Sequence, residues 1–212
     1  DAIREEVVTS TSVYIGEDGN ILEESPNNCR VLKVKNPILT NTDILKIKNL
    51  NKEGFKVKVI PITYYKSAKI EVAIEHMFIE ADRAYAEGAN ILILSDRGVD
   101  ENHVALPSLL AVSALQKHLV ATKKRTSVAL ILESGEPREV HHFATLLGYG
   151  ASAINPYLAI DSIRQMINEE MLDLLMDFIE NDDRAADYRG LDWSEEYDLA
   201  INGDPNDTQS AL

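Results

Sequence analysis

The 212-residue sequence contains a single cysteine, Cys29, and this scarcity excludes several kinds of site. One thiol cannot form an intrachain disulfide, which fits the reducing conditions of the cytoplasm. An iron–sulfur cluster needs about four cysteine ligands, so this chain cannot hold one by itself. We expect Cys29 to be a core residue, because it stands at the start of a predicted strand with no neighbouring base in the sequence.

Long apolar runs are also missing. No stretch approaches the roughly 18 apolar residues of a membrane-spanning helix, yet 45% of the residues are hydrophobic, which is enough for a sizeable core. Asp1, Glu5 and Glu6 stand where a signal peptide would have a basic region. We therefore expect a soluble, cytoplasmic protein. The chain begins with Asp rather than Met, which suggests a fragment of a longer protein.

Basic residues are few: 21 lysines and arginines face 35 aspartates and glutamates, for a formal net charge of −14. This balance argues against nucleic acid and anionic membranes as partners, because phosphate binding needs basic patches. Most of the acidic excess lies beyond Glu169, where Arg184 and Arg189 are the basic residues. We expect residues 1–180 to form an α/β domain and residues 181–212 to form an acidic, partly disordered tail.

Motifs for nucleotide binding and for a nucleophile elbow are absent as well. The sequence has no GxxxxGK[ST], GxGxxG or GxSxG pattern. The GYGAS segment at residues 148–152 precedes a predicted strand rather than following one, so we interpret it as a helix end and a turn. The basic cluster Lys123-Lys124-Arg125 is interpreted as a solvated loop after a helix.

Short apolar runs that alternate with helix-length segments are the main positive signal. Such runs are typical of buried parallel strands joined by right-handed βα units. They predict an α/β fold with a mostly parallel sheet or a partial barrel, since a complete eight-fold barrel usually needs about 250 residues. The predicted strands are an extended segment within residues 9–16, then Cys29–Lys35, Phe55–Thr63, Ile91–Leu94, Val128–Leu132 and Ala151–Ile154. The predicted helices are a segment capped by Thr40 or Thr42 with apolar Ile44, Leu45, Ile47 and Leu50, then Ile70–Glu87, Pro107–Val120, Pro137–Leu147 and Leu158–Ile179.

Polar residues follow two of these strands, at the end where parallel sheets place their chemistry. After the strand at residues 91–94 come Asp96, Arg97, Asp100 and His103. Carboxylates beside a histidine could bind a metal or carry out acid–base chemistry. The alternative, which we favour, is a rigid loop at a domain contact, in which Asp96 pairs with Arg97 or caps backbone amides and Gly98 adopts an unusual φ.

The second group of the candidate strand-end polar cluster comprises Glu133, Glu136 and Arg138. Ser134 is a suitable N-cap for the next helix, with Pro137 in its first turn. Glu139 and His142 are three residues apart and could share a metal. However, His141 and His142 are adjacent and lack the spacing of a zinc-protease helix. We expect one of these histidines to pack inward and the other to be exposed.

Two long segments carry a specific resemblance to a known family. They are LSDRGVDENHVALPSLLAVSALQKHL and LESGEPREVHHFATLLGYGASAINPYLA, and the opening DAIREEVVTS and the later NPILTNTDILKIKNL add to the likeness. Together they resemble the central domain of the large subunit of glutamate synthase, over roughly Asp1 to Ile163. Enzymes of that family make glutamate from glutamine and 2-oxoglutarate.

The resemblance implies a non-catalytic connector. In the family, a glutaminase domain with an N-terminal cysteine nucleophile releases ammonia, which travels through an internal tunnel to an FMN domain. The implied partners are these two domains of the same polypeptide, with a small electron-donating subunit or ferredoxin for the full enzyme. FMN and an iron–sulfur cluster are implied for the full-length enzyme, whereas this chain is expected to carry no cofactor and to be inactive alone.

The opening segment supplies candidate residues for a domain interface or for the ammonia path. They are Arg4, Glu5, Glu6 and Ser10, which carry the segment's resemblance to the family. The alternative for these residues is a surface strand with salt bridges.

From the residues alone, a second function stays open. An autonomous metal-assisted α/β hydrolase or lyase would use Asp96, Asp100, Glu133 and either His103 or His142. Against it, the sequence shows no evident nucleophile, phosphate loop or metal-ligand spacing.

Overall fold

The computed structural model describes residues 10–169, apart from residues 21 and 24. The chain divides into two units, Asp1–Ile160 and Asp161–Leu212. The first unit contains the sheets, and the described part of the second, residues 161–169, belongs to the last helix and the residue after it. The acidic tail predicted for residues 181–212 lies outside the described residues, as do Arg4, Glu5 and Glu6.

The central feature of the first unit is a four-stranded parallel sheet. The strands of the described residues are β1 (Val13–Gly16), β2 (Val31–Val34), β3 (Val57–Pro61), β4 (Thr63–Tyr65), β5 (Ile91–Ser95), β6 (His103–Ala105), β7 (Ala129–Glu133) and β8 (Ala153–Asn155). The parallel sheet has the order β3-β5-β7-β8, while β1–β2 and β4–β6 form separate antiparallel pairs. Beyond β8 the sheet is extended by a parallel bridge between Ile38 and Ile154.

Helices follow the strands as the alternating pattern predicts. They are α1 (Asn41–Lys48), α2 (Ile70–Ala86), α3 (Ser108–Ala121), α4 (Val140–Gly148) and α5 (Tyr157–Asn168). Helix α1 begins after Thr40, whose Oγ1 accepts the Asp43 N–H at 3.2 Å while its own N–H donates to Asp43 Oδ2 at 2.9 Å. Helix α2 ends before Gly88, whose φ of +89° is accessible to glycine at little cost.

The sheet is buried on both faces at β5, β7 and β8, whereas the edge strand β3 exposes Lys58, Val59 and Pro61. Side chains alternate along a strand, so Ile93 and Ile131 face α1 and pack with Ile44, while Leu94 and Leu132 join the core shared with α2 and α3. Strands β5 and β7 are buried along their whole length. This two-sided burial explains why both appear in the sequence as continuous apolar runs.

The predicted α/β class and the mostly parallel sheet are confirmed, and the strand order is that of an open sheet. Two features differ from the predicted alternation. Strands β1 and β2 pair with each other antiparallel. The segment predicted as one strand, Phe55–Thr63, is divided at Ile62, whose N–H donates to Ser95 O and whose C=O accepts the Leu106 N–H. The backbone therefore leaves one sheet and enters another at this residue.

The prediction that Cys29 is a core residue was wrong, and Leu45, one of the apolar positions of α1, is exposed. Cys29 is exposed because it lies in a short 3-10 turn, Pro26–Cys29, that precedes β2 rather than forming its start. Leu45 is exposed because α1 has eight residues and turns Ile44 and Ile47 toward the sheet.

Helix α4 begins at Val140, three residues later than predicted, so His141 and His142 lie in its first turn. His141 and His142 are both exposed, contrary to the prediction that one packs inward. The inward face of the helix is taken by Phe143, Leu146 and Leu147. The late start also means that Ser134 is not its N-cap.

Arg125 is not a freely solvated member of the basic cluster. It is half-buried, and its guanidinium donates to the side chain of Gln116, to Val128 O at 2.8 Å and to Gly150 O at 3.2 Å. The turn before β7 is thereby tied to the turn before β8. Among the described residues, no helix is long and apolar enough to cross a membrane.

Candidate functional site

The last residues of three neighbouring strands form a buried polar row at the carboxyl edge of the parallel sheet. Ser95, Glu133 and Asn155 are direct neighbours in the register of β5, β7 and β8. Each lies two residues after an apolar side chain of the α1-side core, so all three point toward that face. They are 4%, 1% and 0% exposed, respectively. We call this group the polar rung.

Glu133 is the charged member of the polar rung. Lys48 Nζ donates to its two carboxylate oxygens at 2.8 and 2.7 Å, Ser95 Oγ donates to Oε2 at 2.5 Å, and Arg97 Nε donates to Oε1 at 2.7 Å. Burial alone raises the pKa of Glu133, but the hydrogen bonds from Lys48, Ser95 and Arg97 outweigh it and lower the pKa below the ordinary value. The carboxylate is therefore ionised at neutral pH and is paired with two cations.

Asp96 organises the opposite side of the same edge. Its Oδ2 accepts the hydroxyl of Ser134 at 2.7 Å and the Gly135 N–H at 3.0 Å, and its Oδ1 accepts the hydroxyl of Tyr157 at 2.9 Å. Burial, followed by this bond to Asp96, raises the pKa of Tyr157 to about 12. Tyr157 is the first residue of α5, so Asp96 fastens the beginning of that helix to the end of β7.

Arg97 connects Glu133 with Tyr157. Its Nε binds Glu133, and its guanidinium carbon lies 4.0 Å from the centroid of the Tyr157 ring, in cation–π geometry. Its backbone N–H donates to Ser95 Oγ at 3.3 Å. The resulting carboxyl-edge network consists of Lys48, Ser95, Asp96, Arg97, Glu133, Ser134, Gly135 and Tyr157. It joins α1, β5, β7 and the first turn of α5.

Other residues of the predicted strand-end cluster lie elsewhere. Asp100 and His103 form a local turn, in which Asp100 Oδ1 accepts the N–H groups of Asn102 and His103 and contacts His103 Nδ1 at 2.9 Å. The bond from the Asn102 backbone, followed by those from His103, lowers the pKa of Asp100. The ring of His103 also packs against Tyr65, with ring centroids 4.3 Å apart. These contacts join the loop to the β4–β6 pair.

Glu136 and Arg138 form hydrogen bonds at the beginnings of two helices. Glu136 Oε2 accepts the Ser108 N–H at 2.6 Å, at the beginning of α3. The backbone N–H groups of Arg138 and Glu139 donate to His142 Nδ1 at 3.2 and 3.4 Å. His142 therefore stabilises the start of α4.

The structure decides between the interpretations of Asp96 given by the sequence. Asp96 does accept a backbone amide, as one alternative predicts, but Arg97 pairs with Glu133 and not with Asp96. Gly98 has a φ of +102°, in agreement with its expected role in the loop. Ser134 is buried and donates to Asp96, so its hydroxyl serves the network instead of capping a helix.

Four side chains of the site were not identified from the sequence. They are Lys48, Ser95, Asn155 and Tyr157. Ser95 and Asn155 each end an apolar run, and this position was the available signal. Lys48 lies 85 residues before Glu133 and carries no local signal.

The network is poorly suited to acid–base or metal chemistry. Each oxygen of Glu133 already accepts two hydrogen bonds, which fills the acceptor capacity of a carboxylate. Over residues 10–169, with the two exceptions stated above, no group of three or more His, Cys, Asp or Glu residues is arranged to hold a metal ion. What the geometry does provide is a rigid junction between secondary-structure elements.

Ser10, a candidate of the opening segment, is exposed, and its Oγ accepts the Ser12 N–H at 3.2 Å.

Comparison with known proteins gives a consistent result. A family model described as the glutamate synthase central domain matches residues 1–198. The NADPH glutamate synthase large chain of Bacillus subtilis is 44% identical over 174 residues, which cover 82% of this chain and 11% of that protein. The NADH glutamate synthase of Schizosaccharomyces pombe is 43% identical over 177 residues, or 81% of this chain and 8% of that protein.

The similarity extends to enzymes named for another electron donor. Ferredoxin-dependent glutamate synthase 2 of Synechocystis is 34% identical over 183 residues, which cover 84% of this chain and 12% of that protein. The chain thus spans about a tenth of the length of the curated relatives that it matches.

Proposed function

The chain belongs to the glutamate synthase central-domain family, and on that premise we propose that it is a non-catalytic connector between the glutaminase and FMN domains of a glutamate synthase. The parent enzyme would make glutamate from glutamine and 2-oxoglutarate. The connector would hold the two reaction centres in register and contribute to the path that ammonia takes between them.

The observation that carries this proposal is the saturation of the carboxyl-edge network. In an α/β enzyme the carboxyl ends of the strands present groups that can still bind a substrate or move a proton. Here Glu133 is neutralised by Lys48 and Arg97, and Asp96 accepts three hydrogen bonds from protein groups. Since these carboxylates are committed to internal partners, the edge favours a structural role over catalysis.

A connector must also resist deformation, and the network supplies this property. Tyr157 is held by its hydroxyl at Asp96 and by its ring under Arg97, while Gly135 leaves just enough space for it. A Cβ at residue 135 would lie 3.2 Å from the Tyr157 hydroxyl and 3.4 Å from Leu158 Cβ. The first turn of α5 is therefore packed tightly against the loop that follows β7.

The single cysteine of this chain does not suit the iron–sulfur cluster implied for the parent enzyme. FMN and an iron–sulfur cluster are assigned here to other parts of the full-length enzyme. Cys29 is the one cysteine of the sequence, and a cluster needs about four such ligands. Relatives named for NADPH, NADH and ferredoxin all match the chain, which supports the idea that this domain is common to enzymes with different donors. A small electron-donating subunit or ferredoxin would then bind elsewhere.

Arg4, Glu5, Glu6 and Ser10 remain our candidates for the domain interface or the ammonia path. The proposal for them rests on the family resemblance of the opening segment. Substitution of Glu5 and Glu6 by Gln in the full-length enzyme should reduce glutamine-dependent glutamate formation more than ammonia-dependent formation. An equal reduction of the two would show that these residues do not serve ammonia transfer.

The connector role is tested by the coupling between the two half-reactions. In the full-length enzyme, Tyr157→Phe combined with Gly135→Ala should raise the ratio of glutamine hydrolysed to 2-oxoglutarate consumed above one, because a loosened junction lets ammonia escape. Arg83→Gln, which alters an exposed residue of α2, is the matched control and should leave the ratio at one. An unchanged ratio in the double variant would contradict the proposal. So would glutamine hydrolysis or glutamate formation by the purified 212-residue chain alone.

A further inference from the structure

The hydrogen bonds of the polar rung leave one buried acceptor unpaired. Glu133 is saturated, and Ser95 donates to it and accepts from the Arg97 N–H. Asn155 Nδ2 donates to Leu39 O at 2.9 Å and to Asn41 Oδ1 at 3.1 Å, so both of its amide hydrogens are used. Asn155 Oδ1 has no partner among the described residues, although the residue is 0% exposed.

The orientation of the Asn155 amide is determined by its surroundings. Leu39 O is a backbone carbonyl and can act only as an acceptor. Rotating the amide by half a turn would place Oδ1 against that carbonyl and would leave the NH₂ group unpaired. The Leu39 segment is itself fixed to β8, because its N–H donates to Ile154 O at 2.7 Å. Oδ1 therefore stays directed away from Leu39.

A buried carbonyl oxygen in a polar site is normally paired, either with a protein donor or with an internal water molecule. The occupant must donate a hydrogen bond, which excludes simple anions. It must also be small, because the rung lies beside the packed α1-side core. Lys48 and Arg97 already place two positive charges against the single charge of Glu133, so a further cation such as ammonium is disfavoured.

We propose that Asn155 Oδ1 is a binding site for one small neutral hydrogen-bond donor, an internal water molecule, at the end of the polar rung. The water completes the hydrogen bonding of the Asn155 side chain, whose NH₂ group joins β8 to Leu39 and to Asn41 at the beginning of α1. This inference concerns the chain itself and does not depend on the proposed connector function.

The direct test is a crystal structure of the 212-residue chain at about 1.8 Å resolution or better, grown without ammonium salts. The expected result is one water peak about 2.6–3.2 Å from Asn155 Oδ1. A protein donor at that position, or a dry cavity, would overturn the proposal. This measurement uses the unmodified chain and so does not depend on the folding of any variant.

An experiment in solution tests whether the bound water depends on the side chain of Asn155. Water-to-amide cross-relaxation measured by NMR should be seen near Asn155 and should be lost in Asn155→Leu. The matched control is Asn90→Leu, because both polar ends of Asn90 are satisfied by protein, at Lys56 N and Gly54 O. Persistence of the signal in Asn155→Leu, or its loss in Asn90→Leu, would contradict the assignment.

Exchange of ammonium chloride for sodium chloride at equal concentration distinguishes the two small donors. A neutral occupant predicts the same melting temperature in both salts. A higher melting temperature in ammonium that disappears in Asn155→Leu would identify a cation site and would refute the neutral donor.

Discussion

Replacement of Glu133 by Gln removes the charge at the centre of the carboxyl-edge network and nearly preserves its shape. The side chain is 1% exposed, so the two cations lose their common partner in a buried place. Removing one member of a buried ion pair generally costs about 3–5 kcal/mol. The side chains of Lys48 and Arg97 are 22% and 45% exposed and can recover part of their hydration. We therefore expect the lower end, a loss of about 3 kcal/mol in the free energy of unfolding.

For a chain of this length, about 3 kcal/mol corresponds to a fall of roughly 6–12 °C in the melting temperature. The assay is urea unfolding at neutral pH followed by circular dichroism, with the free energy taken by linear extrapolation. Glu87→Gln is the control, because Glu87 forms an exposed pair with Arg83 that contributes about 0.5 kcal/mol or less. If Glu133→Gln lowers the free energy of unfolding by less than about 1 kcal/mol, or by no more than Glu87→Gln does, then Glu133 is not the centre of a buried ion pair.

Three further predictions concern the same edge. The folded-state pKa of Glu133 is lowered, so the stabilisation by its ionised carboxylate is complete above the ordinary value of 4.5 and is lost as the pH falls below it. The difference in the free energy of unfolding between the wild type and Glu133→Gln should therefore shrink once the pH is below 4.5, and urea melts that give a constant difference there would contradict this. Gly135→Ala should lower the free energy of unfolding by about 1–2 kcal/mol, because the added Cβ presses on Tyr157. Gly148→Ala should be neutral or stabilising, since nothing lies within 4 Å of its added Cβ, and equal effects of the two substitutions in thermal melts would argue against the tight contact at Gly135. Millimolar Mg²⁺, Mn²⁺ or Zn²⁺ should leave the melting temperature unchanged, because the carboxylates of the network are already paired within the protein. A metal that did bind the native state at a hundredfold excess over its dissociation constant would add about 2.7 kcal/mol to the free energy of unfolding, and a rise in melting temperature abolished by Asp96→Ala would support the metal-assisted hydrolase.

Much of the fold could be predicted because its signals are local. The apolar runs at Ile91–Leu94 and Val128–Leu132 predicted buried strands, and burial on both faces of β5 and β7 is what produces such runs. The cap of α1, predicted as Thr40 or Thr42 and observed at Thr40, and the glycine after α2 could be predicted because helix ends depend on a few adjacent residues. The antiparallel pairing of β1 with β2 was missed, because pairing depends on contacts between distant segments.

The candidate site was predicted in part for the same reason. Placing Asp96, Arg97 and Glu133 at the ends of strands required only the strand boundaries. Their partners could not be inferred from nearby residues: Arg97 binds Glu133 across 36 positions instead of its neighbour Asp96. Both His141 and His142 are exposed because tertiary packing turns Phe143, Leu146 and Leu147 toward the core, and the sequence around the two histidines does not fix that choice.

By itself the sequence determined the α/β class, the strands that would be buried and the family, because periodicity, composition and long motifs are properties of the chain alone. The tertiary structure decided which polar groups meet. The register of β5, β7 and β8 brings Ser95, Glu133 and Asn155 side by side, and the packing of α1 delivers Lys48 from 85 residues away. Hydrogen bonds and ion pairs act over about 3 Å, so whether these carboxylates are reactive or fully paired depends on distances that exist only in the folded chain.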